Sequence, residues 1–472
     1  MQRSQLFVTV AVVAMVTCGL VYRSSPSFGV SSFGVPAVGR LFEQSGDEEM
    51  TRMAAIHEDR RNHVIRQCKA RADHYYPRTI QEHSELLIHE KKHELVYCYI
   101  PKNGCSFWKR VMSILGGEHS GSSVFNLSST AIHGQSGRSY DGLEGKSFLQ
   151  KYHYLQSSNK FMFARDPYER LFSGYIDKVL APCAMAGLGD IIAKVPHDSM
   201  PEDSENSRGP TRREMTRRTA SERKIYRRRR REAFRKQRTV PSEEEAEEEA
   251  EEEAEDSCEI ASFSGFLDYV TNTKGVNVDC HFSKQYDQCF PCLIDYDFIG
   301  KMETFRDDAN FILQSAGIDP AVIFGPEEKF EENSDVNIIK DVARRSFSRC
   351  RGTMSGYCQM RRTWVTFQVR GLLSADIEFP LSKEEADSTN LQRFQELAIS
   401  AYRQAGDRSL VKKQRHRALL EAYHTVPRPL LAKLERYVSD DCQLFGYNCS
   451  IASRFHPSEK PRPVFHLDSF WK

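Results

Sequence analysis

Net charge is almost absent from this sequence: 66 lysines and arginines are offset by 65 aspartates and glutamates over 472 residues, leaving +1. A chain so balanced is not built to coat nucleic acid, and no nucleic-acid partner is expected. Long apolar runs are scarce as well. The exception is residues 6–22, uncharged and apolar between Arg3 and Arg23, which reach about the minimum length for a membrane span. A cleaved signal peptide is the rival reading, but the run is at the long end for a signal-peptide core. A transmembrane signal-anchor over 6–22, behind a cytosolic tail of residues 1–5, is therefore expected. Large apolar residues nearly vanish between 200 and 256, where an arginine-rich block (208–238) precedes a Glu-Glu-Glu-Ala tract (243–255). Such a stretch cannot bury enough surface to offset its ordering entropy and reads as a disordered, charged insertion. A solvated linker, an arginine surface for an anionic polysaccharide masked by the acidic tract, and a multibasic processing site are its readings, in that order.

Metal and redox signatures are thin. Cys289 and Cys292 form one Cys-x-x-Cys, without a second such pair or a thioredoxin-like setting, so structural disulfides are expected and no metal. Thirteen cysteines suit an oxidising lumen; Cys258, Cys280, Cys350, Cys358, Cys442 and Cys449 are further candidates, with a pairing that the sequence leaves open. Asn126-Leu-Ser and Asn448-Cys-Ser are glycosylation sequons, usable only in such a compartment. Kinase catalytic-loop and metal-binding aspartate motifs are missing.

Against these absences stand two strand-turn-helix segments about sixty residues apart. In the first, an apolar strand from Leu95 to Ile100 leads into the turn Pro101-Lys-Asn-Gly104, and Trp108-Lys-Arg-Val-Met-Ser-Ile-Leu115 follows with helical spacing. The turn then sits at a helix N-terminus, where free N–H groups and the helix dipole attract a phosphate, with Lys102 and Ser106 adding an ammonium and a hydroxyl. In the second, Phe161 to Ala164 is the strand, Arg165-Asp-Pro167 the turn and Tyr168 onward the helix that carries Ser173. Together they suggest a site for a nucleotide phosphorylated at both ends. An NTPase is disfavoured: a Walker loop closes on Gly-Lys-Ser/Thr, whereas here Lys102 opens the turn and the hydroxyl comes four residues later.

The form Pro-Lys-x-Gly-Cys-Ser-x-Trp-Lys-Arg over 101–110 resembles the 5′-phosphosulfate loop of the Golgi carbohydrate sulfotransferases that include the HNK-1, chondroitin 4-O, dermatan 4-O and N-acetylgalactosamine 4-O enzymes. Arg-Asp-Pro-Tyr-Glu-Arg-Leu-x-Ser-x-Tyr from Arg165 is similar to their 3′-phosphate motif. Residues 288–304, with the Cys-x-Pro-Cys segment, and 437–447 resemble two further family stretches. The likeness covers 95–182 and 258–450, and the insertion departs from it.

The resemblance implies an α/β, three-layer, P-loop-like domain with a central, mainly parallel sheet. It further implies a PAPS-dependent carbohydrate O-sulfotransferase, anchored as a single-pass type II protein of the Golgi membrane with its catalytic domain in the lumen. PAPS (3′-phosphoadenosine 5′-phosphosulfate) would be the donor, and a glycan or glycosaminoglycan hydroxyl the acceptor. Pro101, Lys102, Asn103, Gly104, Cys105, Ser106, Phe107 and Trp108 are the implied 5′ contacts, Arg165 and Ser173 the 3′ contacts. Arg110 and Arg170 are either supporting cations or structural ion pairs, and Trp108 is either an adenine partner or a core residue. Lys102 is the candidate for charge on the leaving oxygen. His133 is the first choice of general base and His281 the second, although the family's tryptophan after that histidine is replaced by Phe282. Accordingly, 23–90 is read as a stem, 91–199 and 257–455 as the two halves of the domain around the insertion at 200–256, and 456–472 as a tail, extended over 456–464. Residues 305–316 and 391–420 read as helices. A lumenal glycan binder that has lost catalysis is the alternative; intact Lys102, Ser106, Arg165 and Ser173 argue against it.

Overall fold

The computed structural model describes residues 48–71, 86–117, 123–128, 132–133, 141–143, 146–183, 258, 260–273, 278–350, 354–455 and 465. The expected anchor, the charged insertion and the 456–464 tail lie outside them. Among the described residues no helix is long and apolar enough to cross a membrane. The chain divides into two compact units, residues 1–56 and 57–472. The described part of the first is only the opening of helix α1 (Glu48–Ala70).

The second unit is built on one five-stranded sheet: β1 (Leu87–Glu90), β2 (Leu95–Cys98), β3 (Asp141–Gly142), β4 (Asn159–Ala164) and β5 (Phe298–Lys301), in spatial order β3-β1-β2-β4-β5. β2 is parallel to β4, with Leu95 opposite Asn159 and Cys98 opposite Met162, and β4 is parallel to β5. The expectation of a mainly parallel sheet is corrected in part, because β1 pairs antiparallel with both β2 and β3. The tight turn at Glu94 (φ 52°) makes β1 and β2 a hairpin, whereas parallel strands need a long crossover. That crossover from β2 to β4 carries α2 (Cys105–Leu115) and α3 (Phe148–Ser157). Beyond β4 follow α4 (Pro167–Tyr175), a single π-helical turn (Ile176–Leu180), α5 (Phe263–Asn272), α6 (Phe305–Ser315), α7 (Phe330–Arg349), α8 (Gly356–Val369), α9 (Leu391–Gln404), α10 (Arg408–His424) and α11 (Arg428–Phe445).

Alternation along the strands gives the sheet two buried faces. Val96, Cys98, Met162, Ala164 and Ile299 share a core with Val64 of α1 and Leu444 and Phe445 of α11. On the opposite face Tyr97, Phe161 and Phe163 pack round the indole of Trp108 from α2. Helices therefore cover both sides, the three-layer arrangement that a largely buried sheet requires.

Two boundaries and one cysteine differ from what the sequence leads one to expect. The stem expected over 23–90 contains domain structure: β1 is an inner strand, Val64 is core, and Cys68 is disulfide-bonded to Cys292. The helix expected over 391–420 is two helices, broken at Gly406 with φ 66°. Cys280 is free rather than paired. The other disulfides join Cys98 to Cys289, Cys183 to Cys350, Cys258 to Cys358 and Cys442 to Cys449. Cys289 and Cys292 thus bond to β2 and α1 and not to each other, which no spacing rule indicates.

Candidate functional site

Parallel pairing of β2, β4 and β5 brings the loops after all three strands to one sheet edge, the usual ligand-binding edge of open α/β sheets. Gly104 at φ 77° and Lys102 at φ 74° bend the first loop. The Lys102 conformation is uncommon for a side chain other than glycine, and such strain gathers at functional sites. A Cβ on Gly104 would lie 2.7 Å from a ring carbon of Phe305. α2 begins directly after this glycine with no side-chain cap, leaving its first amides to other partners.

Several residues expected to touch the donor instead build the loop. Trp108 is 0 % exposed in the sheet core, which rules out the adenine contact. Asn103, also fully buried, donates from Nδ2 to Phe163 O at 2.7 Å and to Gln285 Oε1 at 2.6 Å. Phe107 packs against the rings of Phe305 and Phe324. The Pro101 carbonyl accepts from Arg170 Nε, and Arg170 also donates to Ser283 O and Cys280 O. Arg110 pairs with Asp341 and donates to Leu127 O. Both arginines are structural, and the side chains of Asn103, Phe107 and Trp108 face inward.

Gln285, which the sequence reading passed over, ties the two motifs together. Its Oε1 accepts from Asn103 Nδ2 and from Arg165 N at 2.9 Å, and its Nε2 donates to Arg165 O at 2.8 Å. Asp441 accepts from the amides of Gln285 and Tyr286, and Glu303 accepts from Asp166 N and Tyr447 Oη. All four motif segments therefore meet at this edge.

Its charge is strongly positive. Lys102 Nζ lies 3.0 Å from Asp177 Oδ2, and Arg345 and Arg370 reach Asp177 Oδ1 at 3.0 and 3.1 Å. Burial pulls the Lys102 ammonium down to about 7 against the opposing pull of Asp177. Burial, then the positive charge of Arg165, lowers Arg415 to about 9. Arg165 donates to Lys102 O at 3.0 Å. The Nε atoms of Arg165, Arg345 and Arg370 are buried without a hydrogen-bond partner among the described residues. Ser173 is half-buried on α4, roughly 9 Å along the helix axis from its first residue, Pro167, at about 1.5 Å per residue. Among the described residues no hydrogen bond joins Ser173 to Arg165.

Both histidines border this charge. His133 Nε2 is 3.0 Å from Ser106 Oγ; desolvation first, then Lys109, Arg110, Arg345 and Lys178, lower it to about 3. His281 Nδ1 is 2.6 Å from Asp279 Oδ1. Burial lowers His281, and Lys178 and Lys102 add to that while Asp279 opposes it. Cys105 is half-buried and free.

The sequence profile described as "Sulfotransferase family" matches residues 85–354, more than half of the chain. The chain belongs to the sulfotransferase family. It is 27% identical to human carbohydrate sulfotransferase 9 over 307 residues, 63% of this chain and 56% of that protein. It is 28% identical to mouse carbohydrate sulfotransferase 11 over 293 residues, 61% of this chain and 69% of that one. Mouse carbohydrate sulfotransferase 8 is 28% identical over 274 residues, 56% and 52% of the two chains. The chain thus spans between about half and two thirds of the length of these relatives. No solved structure matches it. In this sulfotransferase-family chain the residues outside the motifs that complete the site are Asp177, Lys178, Arg345, Arg370 and Arg415. Only Asp177 and Lys178 follow a motif closely enough for its continuation to have pointed to them.

Proposed function

We propose that this chain transfers a sulfuryl group from PAPS to a hydroxyl of a glycan. The observation that carries the reading is the cation cluster at the strand ends, Lys102, Lys178, Arg345 and Arg370 around Asp177 with Arg165 bonded to the Lys102 carbonyl, beside an uncapped helix N-terminus. A donor phosphorylated at both ends supplies acceptors for both regions. The amides of Cys105 and Ser106 with the Ser106 hydroxyl are assigned to the 5′ side, and Arg165, Ser173 and Arg415 to the 3′-phosphate. Lys102 meets the charge that grows on the bridging oxygen as the sulfur–oxygen bond breaks.

The acceptor hydroxyl must lose a proton to a base. The Asp279 carboxylate only accepts, so His281 Nδ1 carries the hydrogen and Nε2 is left as the proton acceptor. His281 is therefore the base in this reading, with His133 orienting Ser106. The relatives named above are carbohydrate sulfotransferases, which favours a glycan acceptor; a Golgi lumenal setting with the 6–22 anchor belongs to the same proposal. The test is transfer of labelled sulfate from PAPS to chondroitin, dermatan, glucuronyl-lactosamine and N-acetylgalactosamine-terminated glycans. Label in any one supports the proposal and selects the acceptor. A folded protein that binds these glycans and transfers no label is the inactive binder.

A further inference from the structure

The motifs do not account for Asp177, a buried carboxylate on the π-helical turn directly after α4. Four cations from four places converge on it. Lys102 comes from the loop after β2 at 3.0 Å, Lys178 from the same turn at 3.6 Å, Arg345 from α7 at 3.0 Å and Arg370 from the end of α8 at 3.1 Å. Burial by itself would push the Asp177 carboxyl up, but the four cations hold it well below the usual carboxylate range. The cluster therefore favours the charged carboxylate. The geometry needs the irregular turn: extra residues inserted into a helix re-aim side chains, and π-turns recur at functional sites for that reason.

Among the described residues no other anion lies beside Lys102. The charged and titratable groups that face it are Asp177, Lys178, Arg370 and His281, with Arg345 reaching the same carboxylate and Arg165 bonded to the Lys102 carbonyl. Apart from Asp177, each of these is a cation or a base that becomes one. An ammonium that is only 13% exposed among such neighbours would shed its proton and swing away without a carboxylate. We propose that Asp177 is a positioning residue for sulfuryl transfer: its carboxylate raises the share of Lys102 that carries its proton and aims it in the empty site until the anionic donor takes over as its partner.

This inference rests on the proposed transfer reaction, and it separates two kinetic quantities. In the free protein Asp177 is the counter-charge, whereas in the donor complex the donor supplies it. Asp177→Asn should therefore lower kcat/KM for PAPS at pH 7.5 by about tenfold or more, each pKa unit being a factor of ten in the charged fraction. The drop in kcat at saturating donor should be several times smaller. The sign follows from the chemistry. Lys102 is active when protonated, so removing its anion lowers its pKa, and the alkaline limb of kcat/KM against pH should move to lower pH by about one unit. Asp177→Glu keeps the charge and should hold the limb in place.

The experiment records kcat and kcat/KM for PAPS from pH 5.5 to 9 for the wild type, Asp177→Asn and Asp177→Glu. Proton uptake on binding adenosine 3′,5′-bisphosphate is measured alongside, by calorimetry in buffers of different ionisation enthalpy. Asp177→Asn should take up about one proton per bound nucleotide at pH 7 where the wild type takes up less. An unmoved limb with unchanged proton uptake overturns the proposal, as does a limb that moves equally in Asp177→Glu. If the asparagine variant fails to fold, a shifted limb in the folded glutamate variant alone also overturns it. A wild type that binds the bisphosphate and transfers no sulfate would instead sink the transfer reading itself.

Discussion

At the scale of the residue, the sequence revealed which side-chain types a doubly phosphorylated nucleotide needs, but not which way each one faces. Lys102, Ser106 and Arg165 reach the strand-end edge, because a turn after a parallel strand delivers them there. Asn103, Phe107 and Trp108 belong to the same motif and turn into the core, since a run of eight consecutive residues cannot present every side chain to one ligand. The arginines that complete the charge, Arg345 in α7, Arg415 in α10 and Arg370 at the end of α8, stand far from the motifs, where an inward arginine looks like any other until the fold closes. If Lys102 meets charge on the leaving oxygen, Lys102→Ala should cut kcat at saturating PAPS by about a hundredfold or more, while affinity for adenosine 3′,5′-bisphosphate falls much less. Turnover unchanged at saturation would remove Lys102 from the chemistry.

At the scale of the element, β2 and β4 and the helices after them were legible, because buried apolar runs ending in Pro or Gly turns leave few alternatives. β1 was not: Leu87–Glu90 is four residues long and follows a charged stretch, so its strand character comes from pairing with β2. The Gln285 bridge was equally hidden, since a glutamine has no signature in sequence. Its removal has a defined consequence. Gln285→Ala strips partners from Asn103 Nδ2 and from both the amide and carbonyl of Arg165. The protein should lose about 2–4 kcal/mol of stability, each buried orphan costing about 1–3 kcal/mol. Urea unfolding followed by fluorescence measures it, and a loss below about 0.5 kcal/mol would mean that the two loops hold their positions without the bridge.

At the scale of the whole molecule, cysteine number pointed to structural disulfides, and those among the described residues bear that out while placing the domain's edge earlier than 91. Cys68 and Cys292 are 224 residues apart, so their bond removes much entropy from the unfolded chain. Replacing both with serine should cost about 2–5 kcal/mol and lower the Tm, and a Tm unchanged by the double substitution would contradict the account of residues 57–70 as part of the domain. The central claim is that one cationic edge grips a nucleotide at both of its phosphates, and calorimetric comparison of adenosine 3′,5′-bisphosphate with adenosine 5′-phosphate tests it most directly. The wild type should bind the bisphosphate more tightly, and Arg165→Ala should erase most of that advantage, a loss of about 1.5–3 kcal/mol for a hydrogen bond to a charged group. Equal affinity of the wild type for the two nucleotides, or an equal loss for both on Arg165→Ala, would contradict it.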